Sequence, residues 1–389
     1  MFAAVYGHTD PRILLMPSIT NFKLSQKFRQ RIAKPSPDAE TFVSVITGRQ
    51  KPHRVHLAEL FADQEIMAYV TEHILGKKWQ AISGQRSIQE QHLLCEIEYW
   101  YRMGYDYIRV IGGIDFPVSA LQTADTAELS KGNRLWPDSH STVLKSWEDF
   151  ERYPWPEVRD EDLWMYEFVA EHLPEGMGIM ACPTSGFFEI ACTMGYETLS
   201  YLIYDQPELV SAFVERAGRI VMDTYQKIMT APQVIGFFQG DDMGYKTATM
   251  VSPEFLRKHI LPWHKELAEL AHRSGKAYLL HSCGQLDSIM KDLIEDVKID
   301  AKQSFEDEIV PVEDFARQYG QKVGILGGVP VDLLTRGSQE QVRQRVRHIL
   351  EVCMPIGRYA LGSGNTVANY TKPANFVAML EEGLEFGDD

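Results

Sequence analysis

Residues 234–281 read VIGFFQGDDMGYKTATMVSPEFLRKHILPWHKELAELAHRSGKAYLLH. Two short apolar runs, 234–240 and 277–281, bound the stretch, and both have strand length and strand composition. Between them, Ser252-Pro253-Glu254 supplies an N-cap followed by proline at the first helical position, so a helix is expected over 255–273. Gly275 stands where a helix is usually closed. The unit is therefore strand, helix, strand. A polar loop, Asp241-Asp242-Met243-Gly244, follows the first strand, and a second, Ser282-Cys283-Gly284, follows the next.

The same alternation extends in both directions. Eight apolar or β-rich runs end in Gly, Pro or a polar residue: 55–60, 107–113, 178–183, 234–240, 277–281, 299–305, 323–328 and 358–362. Helical periodicity fills several of the intervals, over 62–76, 207–229 and 338–352 as well as 255–273. Eight strands, each followed by a helix, predict a single (β/α)8 TIM barrel of the α/β class, with a doubly wound sheet as the competing arrangement. Residues 1–54 precede the first strand and are expected to form an N-terminal cap or dimer arm, leaving 55–389 as the barrel. The step from the second run to the third is the longest. It contains 133–156, rich in Trp and Pro (Trp136, Trp147 and Trp155 among them), and is expected to be an excursion over the barrel mouth.

The 389-residue chain carries 39 Lys and Arg against 54 Asp and Glu, a formal net charge of −15. That balance argues against nucleic-acid or anionic-membrane binding, which needs clustered cations. No apolar run reaches the ~18–20 residues of a membrane helix. The first ten residues show no basic segment leading into an apolar one, so no signal peptide is expected. Five cysteines, at 95, 182, 192, 283 and 353, form no disulfide framework; a reducing, cytoplasmic setting is the expectation. Walker A, dinucleotide-fingerprint and nucleophile-elbow patterns are absent.

In such a barrel the chemistry sits at the C-terminal ends of the strands. Those ends offer Glu59, Asp241-Asp242, His281-Ser282-Cys283 and Glu306, with no Lys or Arg, a set suited to a cation. His281 and Cys283 are two apart, so their side chains would project from one face, as half of a zinc site. The bland alternative is a buried small thiol beside a satisfied histidine. Of Asp241 and Asp242 only one can point inward, and capping or solvating a loop is the alternative role for the pair. Glu306 ends the strand after His281 and can reach the same centre; Glu59 ends the first strand. For both, the alternative is an exposed loop acid. Cys182 and Cys192 are expected in the core, and Cys353, after a helix before the last strand, is not expected to reach the mouth.

His-Ser-Cys-Gly at 281–284, Gly-Asp-Asp-Met-Gly at 240–244 with Ser252-Pro253-Glu254 and Pro262, and Gly364-Asn365 with Pro373 and Asn375 together resemble the uroporphyrinogen decarboxylase superfamily. The resemblance runs from about residue 51 to the C-terminus and implies a (β/α)8 barrel. It leans toward the zinc-dependent methyltransferases that work with corrinoid proteins. The decarboxylases' arginine-rich N-terminal segment has no counterpart near Met16-Pro17-Ser18-Ile19, and the expected mouth is acidic. It implies zinc on His281 and Cys283. The coenzyme M methyltransferases take a further Cys near the last strand, where this chain has Gly362-Ser363-Gly364-Asn365. Glu306 is similar in placement to the glutamate ligand of the cobalamin-independent methionine synthases and is the expected third ligand, with Asp242 as the fallback.

The function this implies is transfer of a methyl group between a small-molecule O-, S- or N-methyl compound and a corrinoid. Asp242 or Glu59 would orient the substrate or move a proton, and Asn365, Asp241 and Tyr245 would contact the substrate. Val143 stands where the corrinoid motif Asp-x-His-x-x-Gly, begun at Asp138, needs glycine, so the corrinoid would be carried by a partner protein. A homodimer is a further expectation. The alternatives are a metal-free lyase acting on a tetrapyrrole or smaller carboxylic acid, and a non-catalytic corrinoid- or tetrapyrrole-binding protein.

Overall fold

A computed structural model describes residues 24–118, 120–130, 132–137 and 143–387. The segment Asp138-Ser139-His140 and the Trp136 side chain lie outside what is described. Seven parallel strands form one curled sheet in the order β1 (Tyr107–Ile111), β4 (Gly178–Cys182), β5 (Val234–Gly240), β6 (Ala277–His281), β7 (Ala301–Gln303), β8 (Gly324–Leu326) and β9 (Tyr359–Ala360). Helices connect successive strands, which gives the TIM-barrel-like (β/α)8 arrangement expected from the eight runs. Among the described residues no helix is long and apolar enough to cross a membrane.

The first of the eight runs departs from expectation. Residues 55–60 meet the last strand through a single parallel bridge, Leu57 to Leu361, backed by the Ala58 N–H on the Leu361 carbonyl at 2.8 Å. A Cβ on Gly362 would lie 1.9 Å from the Ala58 carbonyl oxygen, so this approach requires glycine. Between this segment and β1, side chains stand in for a backbone ladder. The Arg109 guanidinium donates to the carbonyls of Leu60 and Phe238, and the Tyr107 hydroxyl donates to the Glu59 carbonyl.

Alternation along the strands sends Ala58, Leu60, Tyr107, Met180, Phe238, Leu279, Ala301 and Leu326 into the barrel. The helix Ala39–Ile46 plugs its lower end with Phe42, Val43 and Ile46. Asp38 caps that helix by accepting from Thr41 N–H, and its own N–H donates to Asp106, just before β1. Asp106 also accepts from Arg54 and meets His56 Nδ1 at 2.6 Å, tying residues 38–56 to the sheet.

The helices track their periodicity. The expected spans 62–76, 207–229 and 338–352 form Gln64–His73, Pro207–Ile228 and Gln339–Ile356, the last opened by a Ser338/Gln341 capping box. The expected helix 255–273 is broken into Pro253–Phe255, a five-residue π turn and Leu261–Arg273. Pro262 has no N–H to donate back and its ring crowds the preceding turn, which the wider π turn accommodates. In the long excursion, β2 (Ala120–Ala124) and β3 (Asn133–Pro137) make an antiparallel hairpin. Arg134 pairs with Asp63 at 3.2 Å and Asn369 donates to Asp125 at 2.6 Å, which pins the hairpin beside the loops that follow the first and last strands.

Candidate metal centre and active site

Gly240 of β5 and His281 of β6 are register partners, so Asp242 and Cys283, each two residues on, leave the sheet side by side. The two loops then interlock. Gly284, at φ +76, packs on Gly244 so closely that a Cβ would lie 2.5 Å from the Gly244 carbonyl carbon. This contact holds Cys283 against Asp242, whose Oδ1 accepts the Cys283 N–H at 2.9 Å. His281 Nε2 lies 3.3 Å from Cys283 Sγ and 3.3 Å from Asp242 Oδ1. One ligand atom from each of the three residues lies within 4.8 Å of the others. His281 is buried, whereas the Asp242 side chain is 40% exposed, so the cluster opens toward solvent on the Asp242 side.

Gln303 is the register partner of His281 on β7. Its Nε2 amide faces the carbonyl oxygens of Asn365 at 2.7 Å and Ser363 at 3.5 Å. Both can only accept, so the amide orientation is fixed and Oε1 is turned to His281 Nδ1. Nδ1 therefore carries the proton. In the neutral ring Nε2 is then a bare lone pair, facing a thiol(ate) and a carboxylate. Three donors of electron pairs converging on one point need a cation between them. Without a metal that cation is a proton: burial opposes it, but Cys283 and Asp242 together push His281 up to about 10. Partial burial likewise opposes the charge on Asp242, yet the His281 contact and the Cys283 N–H hold its carboxyl down at about 2. A nitrogen, a sulfur and an oxygen with one open side fit a three-ligand zinc site.

Residues 88–385, more than half of the chain, match the uroporphyrinogen decarboxylase (URO-D) family. The chain belongs to that family. Its fold is also similar to that of a methyltransferase from Methanosarcina mazei, at 13% identity and a TM-score of 0.64, over 90% of this chain and 99% of that one. The tandem GH20 catalytic modules of the pneumococcal exo-β-D-N-acetylglucosaminidase StrH match at 11% identity over 77% of this chain and 79% of theirs, with a TM-score of 0.38 too low to carry an argument. No curated protein matches.

In this URO-D family member the third place in the cluster is taken by Asp242, where Glu306 was expected. Glu306 is exposed. Phe305 N–H donates to the Gly364 carbonyl at 2.7 Å, and Glu306 opens a turn whose N–H groups, from Ile309 and Val310, bond back to its carbonyl. Among the described residues the Glu306 carboxyl is not one of the ligand atoms that converge. Asn365 is at the cluster, its Nδ2 donating to Cys283 Sγ at 3.0 Å. Cys182 and Cys353 are fully buried away from it.

Asp241 and Glu59, expected at the substrate, have structural partners. Asp241 is fully buried; it accepts the N–H groups of Phe188 and Glu189, both at 2.9 Å, and meets His264 Nε2 at 2.8 Å. It anchors the short helix Phe187–Ala191. Glu59 shares the outward side of its segment with Leu57, which nears Gly383 of the C-terminal helix Pro373–Glu385. Its carboxyl takes both the N–H (2.7 Å) and the hydroxyl (2.5 Å) of Ser363. Burial pushes Glu59 up to about 8 against those two bonds. Tyr245 is 64% exposed on the loop after β5. Trp155 packs on Tyr153 and Phe213, whereas Trp147 is half exposed.

Two further groups were not anticipated. Glu189 follows β4; its Oε2 is buried with no hydrogen-bond partner. Burial, with the charges of Asp242 and Asp241, pushes its carboxyl up to about 8, so it keeps a proton at neutral pH. Its signal in the sequence was an acid within a few residues of an apolar strand end. Lys302, on β7, is buried among Phe305 and Phe315, and its ammonium donates to the Ser304 carbonyl at 2.5 Å. Burial lowers it to about 8, while the charges of Cys283 and Asp242 support its protonation. Reading only the strand ends hid this cation, which lies one residue inside the strand.

Proposed function

We propose that this chain is a methyltransferase that holds zinc on His281, Cys283 and Asp242. It moves a methyl group between a small O-, S- or N-methyl compound and a corrinoid carried by a separate protein. The observation that supports the reading is the convergence of Nε2, Sγ and Oδ1 on one point. Membership of the URO-D family and the fold shared with a methyltransferase agree with it.

Bound zinc would supply a Lewis acid with an open position for the heteroatom that carries the methyl group. The chain's own residues do the rest. Asp242 and the Cys283 N–H hold the open side of the site in shape. The Asn365 amide, fixed by its contact with Cys283, borders the substrate position. When the methyl group leaves for a Co(I) corrinoid, the heteroatom keeps the bonding electron pair and needs a proton. Neutral Glu189, with its unpartnered oxygen, is the source we assign. The His/Cys/Asp set is harder than a two-thiolate set and favours oxygen-bearing substrates over thiols.

The test is elemental analysis of wild type and Cys283→Ala side by side, followed by single-turnover demethylation assays with a Co(I) corrinoid. About one zinc per chain, lost with turnover in the variant, is expected. Full methyl transfer by a metal-free Cys283→Ala protein would sink the reading. Absence of zinc together with decarboxylation of a porphyrinogen would replace it with the lyase.

A further inference from the structure

Around the cluster runs a closed ring of contacts. His281 Nε2 meets Cys283 Sγ at 3.3 Å, Cys283 accepts from Asn365 Nδ2 at 3.0 Å, the Asn365 carbonyl accepts from Gln303 Nε2 at 2.7 Å, and Gln303 Oε1 accepts from His281 Nδ1. We propose that Gln303 is a positioning residue: by accepting from His281 Nδ1–H it fixes the orientation of the ring and ties it to the Asn365 loop, so that Nε2 is aimed at the point where Cys283 Sγ and Asp242 Oδ1 converge. This rests on the metal-site reading above.

A histidine with no acceptor at Nδ1 is free to turn its ring or, when neutral, to keep its one proton on Nε2, and either takes the Nε2 lone pair away from a metal. An acceptor held against Nδ1 keeps a proton there in the charged and the neutral ring alike, so the Nε2 proton is the one a metal releases. Gln303 can be that acceptor only because its NH2 group is committed to two carbonyls that cannot accept any other arrangement. The commitment reaches further: Ser363, one of those carbonyls, is held through its N–H and hydroxyl by Glu59. Gln303 is buried and neutral, so it adds no charge of its own beside the ligands. Outer partners of ligating histidines act in this way in metal sites generally, and their loss costs ~10–100-fold in metal affinity or activity.

The experiment uses cobalt(II), whose thiolate charge-transfer band reports the bond to Cys283 directly. Cobalt is titrated into metal-stripped full-length wild type, Gln303→Leu, Gln303→Glu and Cys283→Ala, with circular dichroism checking each fold. Gln303→Leu, which keeps the volume and loses the acceptor, is expected to bind cobalt ~10–100-fold more weakly. Gln303→Glu restores an acceptor for Nδ1–H and, as the protonated acid, a donor for the Asn365 carbonyl; it is expected to recover most of that loss, which a merely space-filling role would not predict. If Gln303→Leu fails to fold, the Gln303→Glu titration decides: binding close to wild type supports the proposal, and binding as poor as Cys283→Ala overturns it. Gln303→Leu within threefold of wild type, while Cys283→Ala binds nothing, overturns the proposal and leaves the metal site standing. Wild type that binds no better than Cys283→Ala overturns both.

Discussion

The side-chain amide of Asn365 lies 3.0 Å from the sulfur of Cys283 and donates to it. A hydrogen bond to a charged acceptor contributes ~1.5–3 kcal/mol. Asn365→Ala is therefore expected to weaken zinc binding roughly 10- to 150-fold, and Asn365→Asp, which sets a carboxylate against a thiolate, to weaken it further. Competition with a chromophoric chelator measures both. Equal affinity in all three proteins would show that the contact does not support the thiolate.

Asp242 and Glu306 make opposite predictions for the third ligand. Asp242→Ala should lose most of the zinc, because it removes one of three converging donors and the acceptor for the Cys283 N–H. Glu306→Ala should keep zinc within about twofold of wild type, since its carboxyl is exposed in a turn. Zinc-to-protein ratios after dialysis separate the two. Loss in Glu306→Ala and retention in Asp242→Ala would reverse the assignment.

The proton on His281 gives a pH dependence. With His281 pushed up to about 10 in the metal-free protein, its ring is charged at neutral pH and must give up the Nε2 proton when a metal binds. Apparent zinc affinity should rise with pH by about tenfold per unit on this account alone, up to that pKa. Calorimetry at pH 7.5 in buffers of different ionisation enthalpy should report release of at least one proton per zinc. Binding with no proton release would mean that Nε2 is already bare.

What could be read from the sequence was whatever depends on local order along the chain. The runs 234–240 and 277–281 recur as strands with the same limits, because apolar residues followed by Gly or a polar turn define a buried strand by themselves. His281 and Cys283 came together for the same reason: their spacing of two is a property of one strand end. Gln303 was invisible because its role comes from the lateral register of β6 and β7, and a neutral amide leaves no charge signal. Glu306 was misplaced because distance along the chain does not say where a loop turns; the Phe305–Gly364 hydrogen bond decides that. The weak first strand likewise depends on Gly362, some 300 residues away. Glu59 was read as a mouth residue because a strand-end acid in sequence does not declare which side of the wall it takes.

Glu59 also provides a test of how the barrel is closed. It joins the first segment to the last strand through Ser363, and burial pushes its carboxyl up to about 8 from the usual 4.5. The folded protein therefore keeps Glu59 protonated over a range in which the unfolded chain ionises it. The stability this contributes is fully present below pH 4.5 and is lost as pH rises through 8. Glu59→Gln cannot ionise, and its amide can still accept from the Ser363 N–H while donating to the Ser363 oxygen. Relative to wild type, the variant should be nearly neutral at pH 4.5 and gain steadily to pH 8, by an amount on the order of a few kcal/mol, with no further gain above. Urea denaturation midpoints at pH 4.5, 6, 7 and 9 measure the difference. A constant offset across that range would mean that Glu59 is ionised in the folded protein, with Ser363 serving as partner to a buried charge.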